Sequence, residues 1–188
     1  MENKESIALI NEMILKAKKS FSKVSFYFLM WGWILAFASI TEFVLMQIEY
    51  SKPWLPWCLF PVIGGVWSGV RGAREGKKQQ HSTFTDKLMA GIWSTFFITL
   101  VVLIVSCVIS GQNPGPIITV ITAIPTIITG FLIDFRPLKI GGVIFWVFGM
   151  LAFLVPSVYI PIVFAAAMFG GYIVPGMLLK KLESNGQV

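Results

Sequence analysis

The residues able to do chemistry are few, and most lie inside long apolar runs. Glu42 is the only acidic residue well within such a run. A carboxylate in hydrocarbon costs roughly 2.5–3.5 kcal/mol, so it invites a proton- or cation-binding reading. Its place about five residues from the end of its run also allows a purely structural role near the interface. A second group is Thr119, Thr122, Thr126 and Thr129, spaced so that all four share one face of a helix. Thr95 and Thr99, with Gly91 and Ser106, form a comparable face on the preceding run. Facing each other, the two would make either a hydroxyl-rich packing seam or a narrow polar path for a small solute or ion. Pro125 would leave a backbone carbonyl free for these hydroxyls.

Other catalytic or metal-binding arrangements are missing from the sequence. The one histidine, His81, lies in a loop on the side opposite Cys58 and Cys107, so no Cys–His nucleophile forms. One histidine and two distant cysteines make no usual zinc or haem site, and no cofactor is expected. Cys58 and Cys107 match in depth, which leaves both a disulfide and two free thiols open. Asp134 and Arg136, two residues apart, read as a solvated helix end. No phosphate loop, Gly-x-Ser-x-Gly elbow or His-Glu-x-x-His occurs, and the expectation is that the chain is not an enzyme.

These side chains need helices to position them, and composition dictates where those helices sit. The chain has 188 residues, of which 56% are hydrophobic and only 13% charged, with a mean hydropathy of +0.78. That balance excludes a soluble globular domain and a disordered chain alike. About 20 apolar residues in helix are needed to cross a bilayer, because lipid offers the backbone no hydrogen-bond partner. Six stretches qualify: 24–47, 54–70, 88–110, 115–133, 138–155 and 157–179. The fold class expected is all-α, a six-span membrane bundle. Lys52-Pro53, Gly111 to Pro114, and Arg136-Pro137 mark the breaks, and Pro156-Ser157 leaves a very tight hairpin or part of a re-entrant segment.

Charge then orients the bundle. Fourteen of the 15 Lys and Arg residues fall in the terminal segments or in alternate loops, and only Lys52 falls on the other side. The positive-inside rule places both termini in the cytoplasm. The formal net charge of +6 therefore records topology, and no nucleic-acid partner is implied. Ala36-Phe37-Ala38 resembles a signal-peptide cleavage site, but the leader would be too long and carries Glu2, Glu5 and Glu12, so the first span is retained. Tyr50, Trp54 and Trp57 read as an outer aromatic belt.

Three further patterns bear on organisation. Lys23 with Trp31-Gly32-Trp33, Lys87 with Gly91 and Trp93, and Lys139 with Gly141-Gly142 and Trp146 suggest three two-helix hairpins around a common axis. Gly65, Gly69, Gly72 and Gly76 make a small-residue stripe suited to close packing within the bundle or to a dimer face, and Ala166 and Gly170 repeat that spacing. Residues 1–23 read as a cytoplasmic amphipathic helix, with Ile7, Ile10, Ile14, Ala17 and Phe21 on one face and Lys16, Lys18 and Lys19 towards its end. It suits docking on anionic lipid or pairing with a partner helix. Residues 24–179 form the transmembrane domain and 180–188 a cytoplasmic tail.

Phe28-Leu29-Met30-Trp31-Gly32-Trp33, combined with the ending Tyr172-Ile173-Val174-Pro175-Gly176-Met177-Leu178-Leu179-Lys180, resembles a group of short six-helix bacterial inner-membrane proteins without assigned function. The resemblance implies six spans and a bacterial inner membrane, and carries no catalytic residue. The function expected is non-enzymatic, exercised at the cytoplasmic face through lipid, a protein partner or a second copy of the chain. The basic surface there includes Arg71, Arg74, Lys77 and Lys78 besides Asp134 and Arg136. The alternative is a small-solute or ion transporter using the threonine faces.

Overall fold

The computed structural model describes residues 24–78 and 84–184, without the side chains of residues 75–78. The amphipathic segment 1–23, with Lys16, Lys18 and Lys19, lies outside the described residues, as do His81 and the side chains of Lys77 and Lys78. Every element among the described residues is helical. They are α1 (Val24–Gln47), α2 (Leu55–Lys78), α3 (Phe84–Ile109), α4 (Gly115–Leu132) and α5 (Arg136–Leu154). A composite last helix follows: a 3-10 turn Ser157–Tyr159, then α6 (Ile160–Met168), a π-turn Phe169–Ile173 and α7 (Val174–Ser184). The last helix thus continues through Ser184, where the sequence suggested a tail from residue 180.

Among the described residues five stretches are long and apolar enough to cross a membrane: α1, α3, α4, α5 and the last helix. At 1.5 Å per residue the 24 residues of α1 reach about 36 Å. The helix α2 is equally long but does not reach that standard, because glycines, Arg71 and Arg74 dilute its second half.

The helices alternate in direction. At one end the start of α1 meets the ends of α2 and α7: the Arg71 guanidinium lies 3.7 Å above the Phe26 ring, and Ser25 bonds Glu183. The start of α3 meets the end of α4 there, with Thr129 Oγ1 3.8 Å from Met89 Sδ. At the opposite end Ser39 Oγ donates to the Pro161 carbonyl at 2.6 Å, and the Phe43 and Tyr159 rings lie 6.4 Å apart.

Helix ends follow from local chemistry. Val155, extended at φ −93° and ψ 154°, precedes Pro156, whose ring disfavours helix in the residue before it. The α5–α6 connection is therefore a sharp turn. At the end of α4, Asp134 N–H bonds the Phe131 carbonyl and Phe135 N–H the Gly130 carbonyl, closing a Schellman motif. Glu49 closes α1 in the same way, so two acidic residues occupy positive φ where glycine is usual.

The core lies between α1, α4, α5 and the last helix, and α4 against α5 is the most extensive contact. This pair joins the second and third of the expected hairpins. Lipid tails are as apolar as leucine, so hydrophobicity does not draw helices together in a bilayer; van der Waals fit does. The fit here depends on backbone approach. A Cβ on Gly149 of α5 would stand 3.0 Å from the Val120 amide nitrogen of α4. One on Gly141 would stand 2.5 Å from the Gly171 carbonyl oxygen in the π-turn.

The glycine stripe of α2 does not serve close packing within the bundle at Gly65 or Gly69. Around a Cβ on Gly65 or Gly69 nothing lies within 4 Å, and α2 touches α1 through Gly64 instead. Both α2 and α3 are peripheral, and their large apolar side chains are mostly exposed. An alanine at 149 must displace backbone, whereas one at 69 meets open space. We expect Gly149→Ala to destabilise the bundle by about 1–3 kcal/mol, and Gly69→Ala to cost nothing. Tryptophan fluorescence through unfolding in detergent distinguishes the two.

Candidate functional site

Three polar assemblies stand out, one in the core and one at each end. The core assembly is the threonine face of α4. Thr119, Thr122, Thr126 and Thr129 are all buried, as the three- and four-residue spacing requires. Thr119, Thr122 and Thr126 donate to the carbonyls of Gly115, Ile118 and Thr122, four residues back, at 2.7–2.8 Å. None takes the Ile121 carbonyl that Pro125 leaves without its usual N–H donor, which corrects the expectation for that proline.

Thr126 meets a partner that sequence reasoning missed. Its hydroxyl lies 3.3 Å from the buried phenol of Tyr172. The single Thr126 proton points at the Thr122 carbonyl, so the phenol is the donor to Thr126 Oγ1. Tyr172 is also an aromatic hub, edge-on to Phe28 of α1 at 5.2 Å and to Phe145 of α5 at 4.9 Å. One side chain thus touches α1, α4 and α5. The only sequence hint was Gly170-Gly171 before it and Pro175 after it, which reads equally well as a helix-packing motif.

The second hydroxyl face does not join the first. Thr95 and Thr99 are exposed on α3. The buried residue of α3 is Cys107; Met89 meets Thr129 and Trp93 meets Phe28, both half-buried, while Phe97 lies beside Trp31 but stays exposed. Among the described residues, no buried side-chain nitrogen or oxygen lacks a hydrogen-bond partner. The threonine face is thus a satisfied seam.

At the end near Lys52, the Trp57 indole N–H donates to Glu42 Oε2 at 2.7 Å, tying α2 to α1. The Trp57 ring also packs edge-on against Phe164 at 5.4 Å. A residue expected in an aromatic belt is therefore the hydrogen-bond partner of Glu42, the acidic residue that lies well within an apolar run. Nearer the other end, Trp31 Nε1 donates to Ser68 Oγ at 3.2 Å, a second tie between the same helices. Cys58 is exposed, Cys107 is buried, and both are free thiols. Among the described residues no group of three His, Cys, Asp or Glu side chains could hold a metal ion.

The third assembly is the basic end. Arg71, Arg74, Lys87, Arg136, Lys139, Lys180 and Lys181 sit on the ends of α2, α3, α5 and α7 that meet there. Asp134 and Arg136 are both exposed. Asp134 pairs with Lys139, not with Arg136, at 2.8 Å. Lys139 Nζ also lies 4.6 Å from the centre of the Phe131 ring. The Lys139 hydrogen bond, and after it the Lys139 charge, hold the Asp134 carboxyl below the usual carboxylate range. Comparison of the chain with protein-family models, curated proteins and solved structures gives no match.

Two outcomes follow from this geometry. Thr126→Val leaves the Tyr172 phenol buried without an acceptor and should cost about 1–3 kcal/mol. Adding Tyr172→Phe should recover part of that loss in a double-mutant cycle followed by thermal unfolding. The Asp134 pairing contributes stability above the ordinary carboxylate range, and that contribution disappears as pH falls through the lowered pKa. Lys139→Gln should bring the Asp134 carboxyl titration, followed by carbon NMR, back up to the ordinary aspartate range.

Proposed function

We propose that the chain is a six-span protein of a bacterial inner membrane, without catalytic activity, that works at its cytoplasmic face through lipid or a protein partner. In this reading α2 is the sixth span. It runs antiparallel to α1, is bonded to it through Glu42–Trp57 and Trp31–Ser68, and is long enough to cross. Both termini then lie in the cytoplasm, because the basic end is the inner one.

The observation that supports this reading is the unequal distribution of polar groups. All described lysine and arginine side chains but Lys52 lie at one end of the bundle, on four helix ends that converge. The core offers nothing comparable: its threonines are committed to their own helix carbonyls and its one phenol to Thr126. A basic surface immediately inside the membrane attracts anionic headgroups by about 1 kcal/mol per Lys or Arg. The lysines of segment 1–23 would add to that surface.

The test is purification in mild detergent, with copurified protein and phospholipid read by mass spectrometry. Full-length chain should retain a partner or an anionic phospholipid. Deleting residues 1–20, or combining Arg74→Gln with Arg136→Gln, should reduce that recovery. Full-length chain that purifies alone, together with a deletion that leaves membrane association and recovery unchanged, overturns the reading.

A further inference from the structure

The last helix consists of two halves that differ in their packing. The outer half, α6, is buried at every position except Ile162 and Ala166. The inner half, α7, is buried only at Pro175, Gly176 and Leu179. Between them the backbone leaves α geometry. Val174 N–H bonds the Phe169 carbonyl five residues back, where an α-helix would use Gly170. Two sequence features locate this break. Pro175 has no N–H for the Gly171 carbonyl, and in α geometry its ring would collide with that carbonyl. Gly170 and Gly171 give the turn its least restrained backbone.

At its far end α7 is fastened by a two-point contact. Glu183 accepts from the Ser25 backbone N–H at 3.2 Å through Oε1, and from the Ser25 hydroxyl through Oε2. These bonds link residues 158 positions apart and join the start of α1 to the last turn of the described chain. One turn deeper, Gly176 packs against Leu29, with a Cβ there standing 3.0 Å from Leu29 Cγ. Leu179 of α7 is also buried in the core, with Leu182 packed beside it, whereas the contact of α7 with α5 is smaller than that of α6 or the π-turn.

We infer that α7 is a releasable arm at the basic end, hinged at the Phe169–Ile173 π-turn and latched to α1 by Glu183 on Ser25. With the latch closed, α7 lies along the start of α1. With it open, the arm pivots about the Val174–Pro175 end of the π-turn, while α6 and Gly171 to Ile173 stay packed against α5 and α1. Release exposes the Leu29 side of α1 and moves Lys180 and Lys181 with the arm. Anything that competes for the Glu183 carboxylate or for Ser25 would shift this equilibrium. The inference stands on the hinge and latch alone, so it does not depend on which partner or lipid the basic end engages.

The test is backbone amide exchange of the full chain in nanodiscs, compared with Glu183→Gln and with Ser25→Ala. Loss of a charge-assisted hydrogen bond should accelerate exchange across 174–184 roughly tenfold. Exchange across 160–168 should stay as in the parent chain. A second measurement places nitroxide labels at Lys181 and Arg136, both exposed, and the distance distribution between them should broaden in Glu183→Gln. Unchanged exchange and distances in both variants would show that Glu183 latches nothing. Acceleration spreading equally through 160–168 would show that the last helix moves as one rod, and the hinge would be withdrawn.

Discussion

Backbone-to-backbone approach at α5 is the constraint on which the bundle depends. In water, helices of this composition would associate to hide apolar surface, whereas in lipid that drive is absent. What remains is dispersion, which falls off steeply with small gaps. Gly149 over the Val120 backbone and Gly141 over the Gly171 carbonyl bring α5 close to α4 on one side and to the π-turn on the other. With α5 fixed between these two neighbours, the last helix lies where α1 can pack along its length. The peripheral α2 and α3 then attach to α1 through Trp57, Trp93 and other aromatic side chains, and α3 to α4 through Met89 at Thr129.

The polar groups obey a second rule of the bilayer, that each must find a partner inside the protein. Threonines on α4 bond to their own helix, the Tyr172 phenol bonds to Thr126, and Ser39 bonds to the Pro161 carbonyl. These bonds also discriminate between arrangements. A rotation of α4 about its axis would carry four hydroxyls towards lipid and remove Thr126 from Tyr172. The seam therefore fixes the azimuth of α4, while the glycines of α5 fix its distance.

Much of this was legible from sequence because it rests on length and period. Five of the six apolar stretches coincide with helices long and apolar enough to cross, and the remaining one with the more polar helix α2, since about 20 apolar residues are needed to cross and proline or charge must interrupt them. The buried threonine face followed from spacing alone. Which faces would meet was not legible, because hydropathy carries no inward or outward signal when the solvent is itself apolar. Gly65 and Gly69 have the spacing of a packing stripe yet meet nothing within the chain, while Gly141 and Gly149, less regular in sequence, sit directly over neighbouring backbone. Thr95 and Thr99 failed as a second face for the same reason: α3 turns Met89 and Trp93 towards its neighbours instead. The pairing of Ser25 with Glu183 spans nearly the whole chain, and no local pattern encodes it.

The order in which the helices pack differs from the order in which a ribosome would deliver them. Helix α1 emerges first, yet its main partner is the last helix, which contains the hub Tyr172 and the carboxylate that reaches Ser25. The tight α4–α5 pair and the last helix all lie in the C-terminal half of the chain. During synthesis the inward faces of α1 and α3 would therefore wait without their later partners, and assembly would finish only when the last helix arrives. A nascent chain stopped before Ile160 would hold the α4–α5 pair but not the partner of α1, and the inward face of α1 would be exposed to any quality-control protease able to sample it.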